Sequence, residues 1–404
     1  LRITAQLIRS DTGFHLWSKT YDRQLLDVFD IQEDIAISVA TELALSLGLE
    51  AGNNLVPDRT DDIVAYEKYL RAKQYYLQRG LQNLTTALLL LQEVVARDPG
   101  FAPAWANIAA IYSVYESWQP NQPPLGDYLQ WRAIGSAAAR QAIKLDPDNA
   151  EAHVSLGWFL FFGQEFTAAF EAMDRAIELA PDNPLVLDDI AQALLQVGYI
   201  NEAAVLAKRA VTIEPLVPIF QKTLGVIYME GKAYFKDIDA YAVAVEQFRK
   251  VMTLNKTFPN TYDNIFWIRM RQSKFDQAQA IAEEAAAAGA FTDDELKDFI
   301  ALVDAARESD AALRQLGDEL DDGYLQFHIA EYLHDVELML AMAAADWDSD
   351  YLREPFYFSY SDARVYQQAQ WKDQIRTSGV LDLWQSRGFP PQCKSVDAAD
   401  FECS

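Results

Sequence analysis

The chain has 404 residues, half of them apolar, and carries 60 acidic against 34 basic side chains for a net charge of −26. That balance argues against a nucleic-acid-binding face, which needs basic groups to displace phosphate counterions, and against direct contact with anionic lipid. No run of about 20 apolar residues occurs, so no segment is expected to insert into a bilayer as a helix. The acid excess keeps an extended surface soluble, and part of it is available to line a groove for a basic partner.

Residues 1–50 read as a partial α/β segment. LRITAQLI alternates apolar and polar, Ser10-Asp11-Thr12-Gly13 makes a turn, and FHLWSKTYDR resumes the alternation, which is a β-hairpin pattern. Asp30-x-x-Glu33 opens a helix, with Ile31, Ile35, Val39 and Leu43 along one face. Two strands and a helix cannot bury their apolar faces alone. The segment is therefore expected to complete a larger α/β unit, or to meet a partner, and its open strand edge offers a homodimer contact. A strand pattern that runs from the first residue suggests a piece of a longer protein.

From 61 to 290 the sequence repeats. Pro147, Pro181 and Pro215 are spaced by 34 residues each time, and such a period marks a stacked array of one supersecondary unit. Each unit carries a small residue where two antiparallel helices approach: Ala109, Gly157, Ala191 and Gly225. Large apolar residues three or four apart fill the grooves between helices. Proline then ends the second helix, because it has no N–H to donate. About five units are expected, with two departures: an insertion near 117–131 containing WQPNQPP, and a boundary where Lys256 replaces the proline.

At these signature positions the repeat resembles the tetratricopeptide repeat. The resemblance implies a mainly α fold, a right-handed α-solenoid whose first helices line a concave groove. The stretch RITAQLIRSDTGFHLWSKTYDRQLLDVFDIQEDIA ahead of the repeats is similar to a TolB-amino-terminal-like domain. The tandem looks like the sensory part of bacterial membrane-anchored signalling proteins, whose output module is a winged-helix DNA-binding domain (CadC-type regulators) or a class III adenylate cyclase. Neither output module is present in this sequence. The resemblance implies the periplasmic side of the inner membrane, with a cytoplasmic scaffold as the alternative.

Residues 291–404 are expected to hold one or two degenerate repeats and a cap. The stretch 350–390 is rich in aromatics, among them Tyr366, Trp371 and Trp384, suited to plug the groove or to cover the last apolar face of the array. Cys393 and Cys403 are the only cysteines. A disulfide between them would contribute roughly 2–3 kcal/mol in the chain-entropy model and suit an oxidising compartment; two free thiols are the other possibility.

The helix projection puts Trp158, Phe161 and Phe162 in the groove, then Asp188, Gln192 and Gln196, then Lys222, Val226 and Met229, then Asp263, Trp267 and Met270. Aromatics beside carboxylates suit a protein or peptide ligand, basic or aliphatic. A small molecule held in the aromatic pocket is a further reading. None of the four histidines pairs with another at metal-ligand spacing, and two cysteines alone do not complete a zinc site. No G-x-G-x-x-G, G-x-S-x-G, phosphate loop or H-E-x-x-H occurs. Neither catalysis, cofactor nor metal is expected.

Overall fold

The computed structural model describes residues 2–8, 15–22, 60–115, 125–320, 322–348, 364–397 and 400–403. The hairpin is present: β1 (Arg2–Ile8) pairs antiparallel with β2 (His15–Asp22), Arg2 opposite Asp22 and Leu7 opposite Trp17. The helix expected from Asp30 and the WQPNQPP insertion lie outside the described residues.

Helices then follow in pairs. α1 (Ile63–Gln78) and α2 (Leu81–Arg97) form unit one, and α3 (Ala102–Val114) and α4 (Leu125–Leu145) unit two. α5 (Ala150–Phe162) with α6 (Phe166–Leu179), α7 (Pro184–Gln196) with α8 (Ile200–Ile213), and α9 (Pro218–Glu230) with α10 (Ala240–Leu254) are units three to five. α11 (Thr261–Arg271) and α12 (Phe275–Ala288) make the sixth. The helices continue as α13 (Asp293–Glu308), α14 (Asp310–Glu319), α15 (Gly323–Tyr332) and α16 (Val336–Asp348). Among the described residues the array holds six pairs by residue 288, against the five or so that the spacing predicts.

The 34-residue spacing has a visible cause. Second helices end at Leu145, Leu179 and Ile213, each two residues before its proline. Asn149 and Asn183 then cap the next helix, their Oδ1 accepting from Ala152 N (2.9 Å) and Leu185 N (3.0 Å). At the boundary without proline α10 likewise stops two residues before the expected position, at Leu254, but Asn260 ahead of α11 is left-handed at φ 55° and makes no side-chain cap.

Within each pair the helices meet at the small residues the sequence picks out. A Cβ on Gly157 would lie 2.8 Å from Met173 Cγ, and one on Gly225 would lie 2.6 Å from the Phe248 ring. Ala109 and Ala191 are fully buried. First helices of neighbouring units pack on one another more closely than second helices do. That asymmetry curves the array and puts the first helices on its concave side. The result is a tetratricopeptide-like α-solenoid. Among the described residues no helix is long and apolar enough to cross a membrane.

The C-terminal residues form a small module: α17 (Ala369–Ser378), α18 (Val380–Arg387) and a ribbon of β3 (Cys393–Ser395) with β4 (Phe401–Cys403). Cys393 and Cys403 face each other across the ribbon as a disulfide pair. Trp371 and Trp384 are fully buried, and Phe401 lies between them, ring centroids 5.8 and 5.2 Å away.

Gly225→Val forces two methyls against Phe248 and is expected to lower the unfolding free energy by about 1–3 kcal/mol. Gly323→Ala, where a Cβ meets nothing within 4 Å, should be neutral or stabilising by up to about 1 kcal/mol. Urea denaturation of both variants checks this; equal midpoints would contradict the close approach.

Candidate functional site

The concave wall is built from the first helices, and polar groups recur along it where an ordinary core would be apolar. From α1, Lys73 Nζ reaches Glu151 Oε1 on α5 at 3.6 Å, and Asn107 Nδ2 on α3 donates to the same carboxylate at 3.1 Å. The Glu151 carboxylate, outweighing the opposing effect of burial, keeps the Lys73 ammonium protonated well above the usual lysine range. Arg79, immediately after α1, is buried with its guanidinium 4.0 Å from the Tyr76 ring centroid. Its backbone sits at φ 56°, ψ −175°, a region ordinarily left to glycine, so the position stores strain.

On α7, Asp188 is buried and accepts from Gln192 Nε2 at 3.0 Å. Burial, then the neighbouring Asp189, raises its carboxyl well above the usual range; burial pushes Asp189 up to about 6. Asp263 on α11 is likewise raised to about 6 by burial. These acids sit deep in a concavity, where protein surrounds them although Asp189 and Asp263 keep some contact with solvent.

A second cluster lies further along. Arg271, at the end of α11, ion-pairs with Glu331 on α15, and His328 Nδ1 is 3.3 Å from the same carboxylate. The His328 ring stacks on Trp267, centroids 4.9 Å apart, with Tyr324 edge-on at 4.5 Å. Burial keeps His328 below the usual histidine range. Glu230, at the end of α9, is raised by burial and then by Glu331.

Buried side-chain atoms without a hydrogen-bond partner concentrate on this wall: Arg79 Nη1, Asp188 Oδ1, Gln196 Oε1, Gln221 Oε1, Trp267 Nε1, and Nε and Nη1 of Arg271. All lie on α7, α9 and α11 or just after α1. A buried polar atom with no partner costs about 1–3 kcal/mol, and side-chain hydrogen bonds of Arg79 with Tyr76, Asp188 with Thr223 and Arg271 with Tyr241 lower that cost at those three residues.

The projected residues divide. Phe162, Gln192, Gln196, Lys222, Val226 and Asp263 are part-exposed on the wall. Phe161, Asp188, Trp267 and Met270 are buried, and Trp158 and Met229 nearly so; Trp158 stacks on Phe162 at 5.4 Å. The first helices close over these larger groups, so the wall presents less aromatic surface than the projection implies. Glu230 and Arg271 escaped the projection although each stands four residues beyond a member of it, Val226 and Trp267. Lys73, Arg79, Tyr324 and Glu331 were missed as well; Arg79 follows its helix and carries no periodic signal.

The aromatic C-terminus, expected as a groove plug or cap, makes its described polar contacts with the α7–α8 turn and with the region of α16, the last helix of the array. Trp384, Gly388 and Gln392 meet the α7–α8 turn. The carbonyls of His334 and Leu340 accept from Arg364 Nη2 and Gln370 Nε2. Residues 351–360 lie outside the described residues.

A tetratricopeptide repeat family model matches residues 132–184. A protein of Rhizobium meliloti (strain 1021) named "Putative adenylate cyclase 3" is 30% identical over 158 residues, 39% of this chain. That match spans 26% of the relative's own length. Among solved structures, a monomeric IFIT1 mutant with m7Gppp-AAAA superposes with a TM-score of 0.51 at 13% identity, covering 88% of this chain and 79% of that one. The human IFIT1 dimer with PPP-AAAA gives 0.50 at 12% identity, covering 85% and 81%. At these identities the likeness is one of fold alone.

Asp189 and Asp263 hold a proton in the folded chain at pH values where an unfolded aspartate, near 3.8, has lost it. Their contribution to stability is therefore full at low pH and falls as pH rises from about 4 through about 6. Between about pH 4.5 and about pH 7, wild type should lose about 1–3 kcal/mol more unfolding free energy than an Asp189→Asn, Asp263→Asn double variant. Urea titrations at both pH values measure the difference, and parallel losses would contradict the assignment.

Proposed function

We propose that this chain is a protein-interaction module that captures a peptide or protein segment on its concave wall. The observation that carries the reading is the row of buried, incompletely paired polar side chains on α7, α9 and α11, beside carboxylates that burial holds above their usual range. A basic side chain placed against Asp189 or Asp263 would stabilise the ionised carboxyl and release a proton to solvent. The net charge of −26 favours the same sign of ligand. IFIT1 in the superposed structures is with PPP-AAAA or m7Gppp-AAAA; for a chain this acidic, repulsion of phosphate disfavours an equivalent ligand.

We place the module in the extracytoplasmic sensory or scaffold region of a bacterial membrane-anchored signalling protein. Support comes from the hairpin ahead of the repeats, from the match to a protein named as an adenylate cyclase, and from the facing cysteines, which suit an oxidising compartment. Ligand capture would act by differential affinity for array curvatures, shifting the population that an attached output module reads.

Peptides selected by display on the whole chain should be enriched in Lys or Arg next to an aliphatic or aromatic residue. Asp189→Lys with Asp263→Lys should weaken the selected peptide at least about tenfold, a loss of about 1.4 kcal/mol or more, with unchanged far-UV circular dichroism. Selection of no peptide, or affinity unaltered by the double reversal, would overturn the proposal.

A further inference from the structure

The array also carries a seat away from the concave wall, and the chain's own C-terminus occupies it. Arg387, the last residue of α18, places Nη1 2.5 Å from Asp174 Oδ2 on α6 and Nη2 3.7 Å from Glu202 on α8. Its guanidinium carbon lies 5.2 Å from the Phe170 ring centroid and 5.8 Å from that of Tyr199. Two carboxylates and two ring faces around one planar cation form an arginine slot. The backbone on either side of Arg387 is held too. Trp384 Nε1 donates to Val197 O at 3.0 Å, Tyr199 Oη donates to Gly388 O at 2.6 Å, and Gln392 Nε2 donates to Gly198 O at 2.6 Å. The seat reads a Trp-x-x-Arg-Gly segment by its indole, its guanidinium and its main chain, as a protein reads a bound peptide.

The occupant keeps its shape through a short covalent loop. Trp384 is packed by Phe401, which also meets Trp371. Asp400, next to Phe401, accepts from Arg376 Nη2 at 2.7 Å. Both residues lie in or beside a final strand of three residues, tied back ten positions by Cys393 and Cys403. A two-stranded ribbon of three-residue strands is marginal by itself, and the Cys393–Cys403 link closes it. Both cysteines border an open pocket of about 470 Å³ with Tyr366, Lys372 and Lys394, and less than a tenth of each is exposed.

We propose that Phe170, Asp174, Tyr199 and Glu202 form a docking seat for a partner segment of the Trp-x-x-Arg-Gly kind, filled in cis by residues 384–388 while Cys393 and Cys403 are joined and opened when they are reduced. The reductant is a protein dithiol. Its thiolate attacks one sulfur, and the mixed disulfide resolves on its second thiol. The reductant leaves as a disulfide, and two electrons and two protons end on Cys393 and Cys403 as thiols. Phe401 then loses its covalent tether, Trp384 its packing partner, and the seat its preformed occupant. The cis segment stays linked to the array and competes at high effective concentration. A partner therefore gains access only when the module has lost its folded form.

The test uses the full chain and a fluorescent synthetic peptide of residues 382–392 as the probe. The reduced chain should bind the peptide at least about tenfold more tightly than the oxidised chain. Cys393→Ser with Cys403→Ser should bind like the reduced form whether or not dithiothreitol is present. Arg387→Ala leaves the cysteines in place and should open the seat without reduction, which covers the case in which the cysteine variant does not fold. Asp174→Asn with Glu202→Gln should abolish binding in the reduced chain while the helical circular dichroism is retained. Equal binding by oxidised and reduced chains, binding that survives the Asp174/Glu202 change, or no binding by any form would overturn the proposal. The concave-wall reading is tested separately, through Asp189 and Asp263, which take no part in the seat.

Discussion

Everything in this array depends on how closely two helices of a pair can approach. Where Gly225 meets the Phe248 ring and Gly157 meets Met173, a Cβ would fall inside van der Waals contact. Close approach there lets the large side chains of one helix enter the grooves of the other. Once that distance is fixed, the remaining geometry follows from repetition. The same turn, capped by Asn149 and Asn183, starts the next pair in the same orientation. Close stacking of first helices then generates the curvature, and curvature creates an inside. The concave wall is thus a consequence of small residues that never touch a ligand.

Curvature also explains the electrostatics of that wall. Groups from different units converge toward the inside, so Lys73 of the first unit meets Glu151 of the third, and Arg271 meets Glu331 on α15. Convergence surrounds a carboxylate with protein without sealing it from solvent. Asp189 and Asp263 show the result: each keeps part of its surface, yet both lean toward the protonated form because burial penalises the charge. A wall of this kind responds to an arriving cation more than an open surface does, since weakly solvated carboxyls gain most from a new partner.

The fold was largely legible in the sequence, because local chemistry decides it. Pro147, Pro181 and Pro215 punctuate the helices, and the glycines and alanines at the crossing points are where the structure needs them. The wall was legible in direction only. A helical period tells which side faces inward, but not how far the neighbouring helix closes over it, which is why Asp188 and Trp267 point inward and are nonetheless buried. Pairs such as Lys73 with Glu151 depend on the rotation accumulated over several units, which no local pattern records. The aromatic residues around Trp384 announced that the C-terminus packs against something. Their partner, the Val197–Tyr199 turn, lies almost 190 residues earlier and has no motif of its own.

That long-range contact changes what kind of object the solenoid is. In a plain repeat array each unit touches only its neighbours, and stability is close to a sum of unit and interface terms. Here the C-terminal module ties two distant regions together. Trp384 and Arg387 hold the start of α8 and the face of α6, while the carbonyls of His334 and Leu340 accept from Arg364 and Gln370 of the same module. A change in curvature between α8 and α16 moves these two anchor points relative to each other, so the module resists it. The concave wall of units four to six lies within the span so braced. Its shape is therefore coupled to the state of the clip, and any ligand that needs a different curvature must work against Trp384, Arg387 and the ribbon that carries Phe401. Contacts of this sequence separation also form late, because their loop-closure entropy must be met before they contribute. The units can fold first and the brace can lock the curvature they have already reached.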